Sequence, residues 1–156
     1  MTLNCRINSK AVRLECGPGD VLADVLRAAG YKEVKKACGT GNCGLCTILL
    51  DGVPVASCSL FAAKAEGRSI TTIQGLKKES AELAAFIAAE GAEQCGYCSP
   101  GFVLMALAME KEFRARGLRR FDEEEARHYL AGNLCRCSGY QGHMRALKKY
   151  WEARSE

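Results

Sequence analysis

The sequence has no apolar run long enough to cross a bilayer: its longest, Phe102 to Met109, falls far short of the roughly twenty residues a spanning helix needs. The opening residues Met1-Thr2-Leu3-Asn4-Cys5-Arg6 lack a basic segment followed by an apolar stretch, so no secretory leader is expected and a cytoplasmic location is. No Lys/Arg run with interleaved aromatics is present; Arg114 to Arg120 reads as one solvated helix end, which argues against a nucleic-acid partner. Histidine is scarce. His128 and His143 are the only two, and no Ser-His-Asp arrangement or phosphate-cradling loop accompanies them. Low-complexity segments and tandem repeats are missing as well.

What is present is the balance of a folded chain, 48% hydrophobic and 26% charged over 156 residues, enough for one domain or two small ones. It is also rich in cysteine, with ten. In a reducing compartment, repeated Cys-x2-Cys spacing points to metal or redox chemistry rather than to disulfides. Eight of the ten fall into two quartets of unlike spacing. Cys38, Cys43, Cys46 and Cys58 read Cys-x4-Cys-x2-Cys with a fourth following, the plant-type [2Fe-2S] spacing. Cys95, Cys98, Cys135 and Cys137 pair a Cys-x2-Cys with a later Cys-x-Cys, which no simple zinc finger does. Cys5 and Cys16 stand apart in strand-like segments and read as small core hydrophobes. The formal charge of +4 takes every cysteine as neutral. Two oxidised [2Fe-2S] centres, each about −2 with its thiolates, would bring the chain to about zero.

Residues 2–8 and 11–16 alternate apolar and polar side chains about a turn at Ser9-Lys10, predicting a hairpin. Asp20 is placed to cap a helix whose Val21, Leu22, Val25, Leu26 and Ala29 share a face, with Gly30 as its stop. Strand signals follow at 47–50, turn at Asp51-Gly52, resume at 53–55 and end at 69–73. After Gly75 the pattern becomes helical: about 80–90; a helix through Phe102, Met105, Met109 and Phe113; one capped by Asp122 with Glu125 and ending at Gly132; and one lined by Tyr140, Met144, Leu147 and Trp151. The fold class is therefore α+β, with a sheet domain at 1–76 and a helical domain at 77–156.

In the first quartet, Gly39, Gly41 and Gly44 let the backbone bend around a cluster and aim N–H groups at its sulfurs. Zinc on four cysteines is the competing assignment for this first quartet. In the second, Ser99-Pro100 and Ser138-Gly139 each follow a cysteine pair as a helix start, which would bring two positive helix ends toward one cluster. Tyr97 and Tyr140 beside the cysteines read as packing, Lys35 and Lys36 as a solvated pair, and the two histidines as spectators, since four cysteines saturate each cluster.

Three segments carry a family resemblance: Cys38-Gly39-Thr40-Gly41-Asn42-Cys43-Gly44-Leu45-Cys46-Thr47, Gln94-Cys95-Gly96-Tyr97-Cys98-Ser99-Pro100-Gly101, and Gly132-Asn133-Leu134-Cys135-Arg136-Cys137-Ser138-Gly139-Tyr140. Together they resemble the small iron-sulfur subunit of molybdenum hydroxylases, the xanthine dehydrogenase and aldehyde oxidoreductase family. That resemblance implies a ferredoxin-like β-grasp domain followed by a four-helix bundle of pseudo-twofold symmetry. It implies two [2Fe-2S] clusters as cofactors, with molybdopterin on a large partner subunit close to Gln94 and Cys137, and FAD on a flavin-binding subunit or another acceptor. Electrons would run from molybdenum through the helical-domain cluster and the β-grasp cluster outward, while the complex oxidises an N-heterocycle or an aldehyde. Carbon monoxide oxidation and aromatic thioester reduction also occur in the family. The chain alone is not expected to be catalytic. Ala37, Asn42, Leu45, Ser99 and Ser138 depart from the family's common pattern without removing a ligand, and Gln141-Gly142-His143-Met144 is less typical of it. From the residues alone, a free two-cluster ferredoxin and a zinc-stabilised interaction module remain alternatives.

Overall fold

A computed structural model of the protein describes residues 1–154; the last two positions of the expected helical segment 77–156 lie outside the described residues. Alternating side chains make β1 (Thr2–Ile7) and β2 (Lys10–Glu15) an antiparallel hairpin that buries Leu3, Cys5 and Ile7. Its turn is Asn8-Ser9, both left-handed at φ 50° and 69°, one residue earlier than the sequence suggested. Asparagine tolerates that conformation. Its amide also clasps Thr72, accepting from the Thr72 N–H and donating to the hydroxyl, each at 2.9 Å.

β3 (Thr47–Leu50) and β4 (Val53–Ala56) turn at Asp51-Gly52 as expected, and β5 (Ser69–Thr71) completes a sheet of order β2-β1-β5-β3-β4. β1 and β5 are parallel; the other neighbours are antiparallel. β5 stops two residues short of the predicted end because the Thr72 side chain is drawn away, its hydroxyl donating to Glu33 at 2.7 Å. A 3-10 turn, Ile73–Leu76, follows. On the sheet lies α1 (Leu22–Ala28), whose Leu22, Ala23, Val25 and Leu26 join Leu3, Ile7, Ile48, Leu50 and Ile70 in one core. Asp20 does not cap it. Val21 holds that position without a side-chain bond, and the Asp20 carboxylate instead accepts the Gly17 N–H at 2.7 Å.

The second core is helical, formed by α2 (Lys77–Ala89), α3 (Ser99–Ala115), α4 (Glu123–Tyr129) and α5 (Gln141–Ala153). The predicted α+β class holds, as a mixed sheet with one helix followed by a helical part. α2 begins earlier than expected because the 3-10 turn runs straight into it, and α4 ends at Tyr129, well before Gly132. Leu83, Ile87, Phe102, Met109, Phe113, Leu147 and Trp151 are buried together. The buried carboxylate Glu110 is held by Arg114 Nε at 2.8 Å and Arg154 Nε at 3.1 Å, as a charge in apolar surroundings must be. α3 also lies against β3 and β4, so one helix joins both cores.

Asp122 caps α4 as predicted, its carboxylate accepting the Glu125 N–H at 2.9 Å. Asp122→Ala should therefore cost about 1 kcal/mol in urea unfolding, and Asp122→Asn much less.

Candidate metal centres

The first quartet sits on the loop between α1 and β3, with Cys58 supplied by the 3-10 turn Ser57–Ser59 after β4. Cys43, Cys46 and Cys58 are buried and Cys38 is exposed. Backbone N–H groups point at the sulfurs: Thr40 to Cys38 at 3.5 Å, Gly41 to Cys58 at 3.3 Å, and Cys58 to Cys46 at 3.5 Å. The Thr40 amide, with Cys43 beside it, brings the Cys38 thiol down to about 6, whereas burial pushes Cys46 up to about 11. Within the quartet the side chains interact as two pairs, Cys38 with Cys43 and Cys46 with Cys58.

The second quartet is paired in the same way. Cys95 and Cys137 are exposed, with sulfurs 3.6 Å apart, and Cys98 meets Cys135 at half-buried positions. Burial first, then Cys135, pushes the Cys98 thiol up to about 12. Cys135 is lowered in spite of its burial because Ser138 donates to it at 3.3 Å. Gln94, exposed, adjoins this quartet through Cys95. Among the described residues no three Cys, His, Asp or Glu side chains converge as ligands of a single ion. Two pairs per quartet fit a two-iron cluster, in which each iron takes two of the four thiolates. They suit a lone tetrahedral zinc poorly, since it needs four sulfurs about one point.

Several expectations at these loops need correction. Ser99 is the first residue of α3 rather than its cap; Cys98 holds the cap position and the Ser99 hydroxyl donates to Glu93 at 3.0 Å. α5 starts after Tyr140, left-handed at φ 66°, with no side-chain cap. Ser138 is free for other work because of that: it meets Cys135, the Tyr140 N–H and His143 Nδ1. Tyr140 does more than pack, since its hydroxyl accepts the Cys135 N–H at 2.9 Å. Tyr97 likewise reaches across to the loop after α1 and donates to the Lys36 carbonyl at 2.9 Å, with Lys35 over its ring. Lys36 pairs with Asp24 at 2.7 Å. His128 is exposed and His143 buried.

The two quartets share a seam that the sequence did not reveal. Leu134 N–H, one residue before Cys135, donates to the Cys43 carbonyl at 3.0 Å, and the Asn133 amide approaches the Gly44 carbonyl at 3.4 Å. A hollow of about 470 Å³ opens onto both, lined by Cys43, Leu45, Cys95, Cys98, Leu134 and Cys135 among others. Asn133 is buried, and its Oδ1 has no hydrogen-bond partner among the described residues.

Comparison with known proteins agrees with this layout. Residues 5–71 match the family described as a 2Fe-2S iron-sulfur cluster binding domain, and residues 72–148 match the [2Fe-2S] binding domain family. The chain is 41% identical to the xanthine dehydrogenase iron-sulfur-binding subunit of Escherichia coli O157:H7, over 90% of this chain and 88% of that one. It is 37% identical to the nicotinate dehydrogenase small FeS subunit of Eubacterium barkeri, again over 90% of this chain and 88% of that one. Among solved structures, quinoline 2-oxidoreductase from Pseudomonas putida 86 superimposes with a TM-score of 0.87 at 35% identity, covering 98% of this chain and 94% of that chain. The aldehyde oxidoreductase of Desulfovibrio desulfuricans gives 0.86 at 34%, covering 97% of this chain but 17% of that much longer one. With two [2Fe-2S]-binding domains and relatives along nearly its whole length, the chain belongs to the iron-sulfur subunits of the molybdenum hydroxylases, the xanthine dehydrogenase family, and is a non-catalytic component of such a complex.

Proposed function

We propose that the chain is the electron relay of its complex, with one [2Fe-2S] cluster on Cys38, Cys43, Cys46 and Cys58 and another on Cys95, Cys98, Cys135 and Cys137. When bound, the clusters supply one-electron carriers that divide a two-electron substrate oxidation into single steps. The residues do the rest: amides of Thr40, Gly41 and Cys58 stabilise anionic sulfur, and burial of Cys43, Cys46 and Cys58 excludes water. The observation that carries the reading is the 3.0 Å bond from Leu134 N–H to the Cys43 carbonyl, which joins the two ligand sets by a short covalent and hydrogen-bonded route.

In this reading Gln94 and Cys137 face the pterin of a large molybdopterin subunit, and the Cys38 quartet faces a flavin subunit or other acceptor. The exposed Tyr97 and Leu134 beside the second quartet support a covering partner, as does the Desulfovibrio protein, in which the matching region is a small part of one longer chain. An N-heterocycle or aldehyde is the expected substrate, after the nicotinate, quinoline and aldehyde relatives. Residues 1–76 would form the ferredoxin-like unit and residues from 77 onward a four-helix bundle, the whole working in the cytoplasm.

Anaerobic reconstitution tests this directly. About four irons and four sulfides per chain, with two reduced-state EPR signals, are expected. Zinc without labile sulfide, or a single cluster, would overturn it. Purification from the native cell should bring down a large molybdenum-containing chain; a chain that runs alone is a free ferredoxin.

A further inference from the structure

His143 is 3% exposed, yet the relay described above leaves it without a task. Its ring stacks on Phe102 of α3, with centroids 4.2 Å apart, and Nδ1 lies 3.2 Å from the Ser138 hydroxyl. The backbone of Ala92 hydrogen-bonds the ring in the sense that favours a protonated imidazole, as a carbonyl acceptor does, and the nitrogen opposite Nδ1 is the one left for it. Ser138 in turn lies 3.3 Å from Cys135 Sγ and accepts the Tyr140 N–H at 3.2 Å.

Serine has one proton to give. Here two acceptors compete for it. If the imidazole is neutral with its N–H on Ala92, Nδ1 is a bare lone pair and takes the Ser138 hydroxyl proton. If the ring is protonated, Nδ1–H donates to Ser138 Oγ instead, and the hydroxyl turns to Cys135 Sγ. A hydrogen bond to a ligand sulfur favours the more negative, reduced cluster.

We propose that His143 is a positioning residue for the helical-domain cluster: acting through Ser138, it decides whether Cys135 Sγ receives a hydrogen bond, and so couples one proton to the electron stored there. The inference rests on the ligand assignment made above. On reduction, one electron from an external reductant enters the cluster and one solvent proton adds to Nδ1. The Ser138 O–H bond stays intact and swings from Nδ1 to Sγ. Oxidation reverses all three changes. Facing the ring are Phe102 from α3, Ala92 and Glu93 from the segment before it, and Ser138 and Tyr140 from the loop before α5, with Cys135 behind Ser138. Glu93 and the Ala92 backbone favour the protonated ring, while burial outweighs them and holds the imidazole below the usual 6.5. The Ser138 bond to the reduced cluster's sulfur, available only while Nδ1 is protonated, raises that value. Reduction therefore takes up a proton between the two, and the potential falls as pH rises across that window.

The test is an EPR-monitored redox titration of the reconstituted full chain from pH 5 to 9, with the helical-domain signal identified as the one altered by Cys135→Ser. The reduction equilibrium of that cluster should change by up to tenfold per pH unit, about 59 mV. The other cluster should stay flat. His143→Leu and Ser138→Ala should each abolish the slope, and Ser138→Ala should also lower the potential at acid pH. A flat wild-type profile, or a slope that survives in His143→Leu, overturns the proposal. If the leucine variant loses its cluster, His143→Gln, which cannot titrate, takes its place, and a slope retained in it or in Ser138→Ala is equally decisive. A wild-type chain that binds fewer than two clusters is a different failure, because it removes the ligand assignment itself.

Discussion

Gly44→Ala is expected to cost about 2–5 kcal/mol and to loosen the contact between the two cysteine quartets. Gly44 has φ +69°, where a side chain costs roughly 1–2 kcal/mol. A Cβ there would also lie 2.6 Å from the Gly132 carbonyl oxygen and 2.6 Å from Asn133 Nδ2, closer than atoms approach, and relieving such overlap costs about 1–3 kcal/mol more. Gly101→Ala separates the two causes. Gly101 lies within α3, where alanine is favoured by about 1 kcal/mol, so only sterics oppose it. Its Cβ would come 2.5 Å from the Gly44 carbonyl oxygen and 3.0 Å from that of Leu45, both of them backbone atoms that cannot step aside. Urea unfolding should show both variants less stable, and the magnetic coupling between the two reduced clusters should weaken. A Gly101→Ala protein that is more stable would mean the seam is not tight.

That seam marks where reading the sequence stopped. The Asp51-Gly52 turn, the Asp122 cap and the amphipathic helices were legible because each depends on residues within one turn of one another. The cysteine quartets stand out because spacing alone restricts the metal chemistry, and the structure gathers each as two pairs. Gly44 and Gly101 are 57 positions apart, and nothing local to either states that they touch. The serine caps failed for a related reason: Ser99 and Ser138 are good local caps, but a carboxylate at Glu93 and a sulfur at Cys135 compete for their hydroxyls. Asp20 lost its cap role to Gly17 in the same way. His143 looked like a spectator because saturation of the clusters by cysteine excludes it as a ligand, which says nothing about groups one hydrogen bond further out. Tyr140 was under-read likewise, since its hydroxyl and ring act on different neighbours.

Removing one ligand from each quartet should give two variants that are alike in iron content and opposite in behaviour. Cys46→Ala and Cys98→Ala should each lower iron from about four to about two per chain and erase one reduced-state EPR signal, because the quartets lie on different loops and share no cysteine. If the clusters are carriers in series, either loss should stop substrate-to-acceptor electron flow in the assembled complex, although half the iron remains. Parallel carriers would each leave part of the flow. Order is read from what substrate can still reduce. With Cys46→Ala, the Cys95 quartet should still accept an electron from the substrate side and hold it. With Cys98→Ala, the Cys38 quartet should remain oxidised under substrate yet be reduced by dithionite. The reverse pattern would place the Cys38 cluster nearer the molybdenum and invert the relay, and the Leu134 to Cys43 bridge would then carry electrons the other way. Assembly of the complex, followed by gel filtration of each variant, separates a broken wire from a subunit that no longer docks.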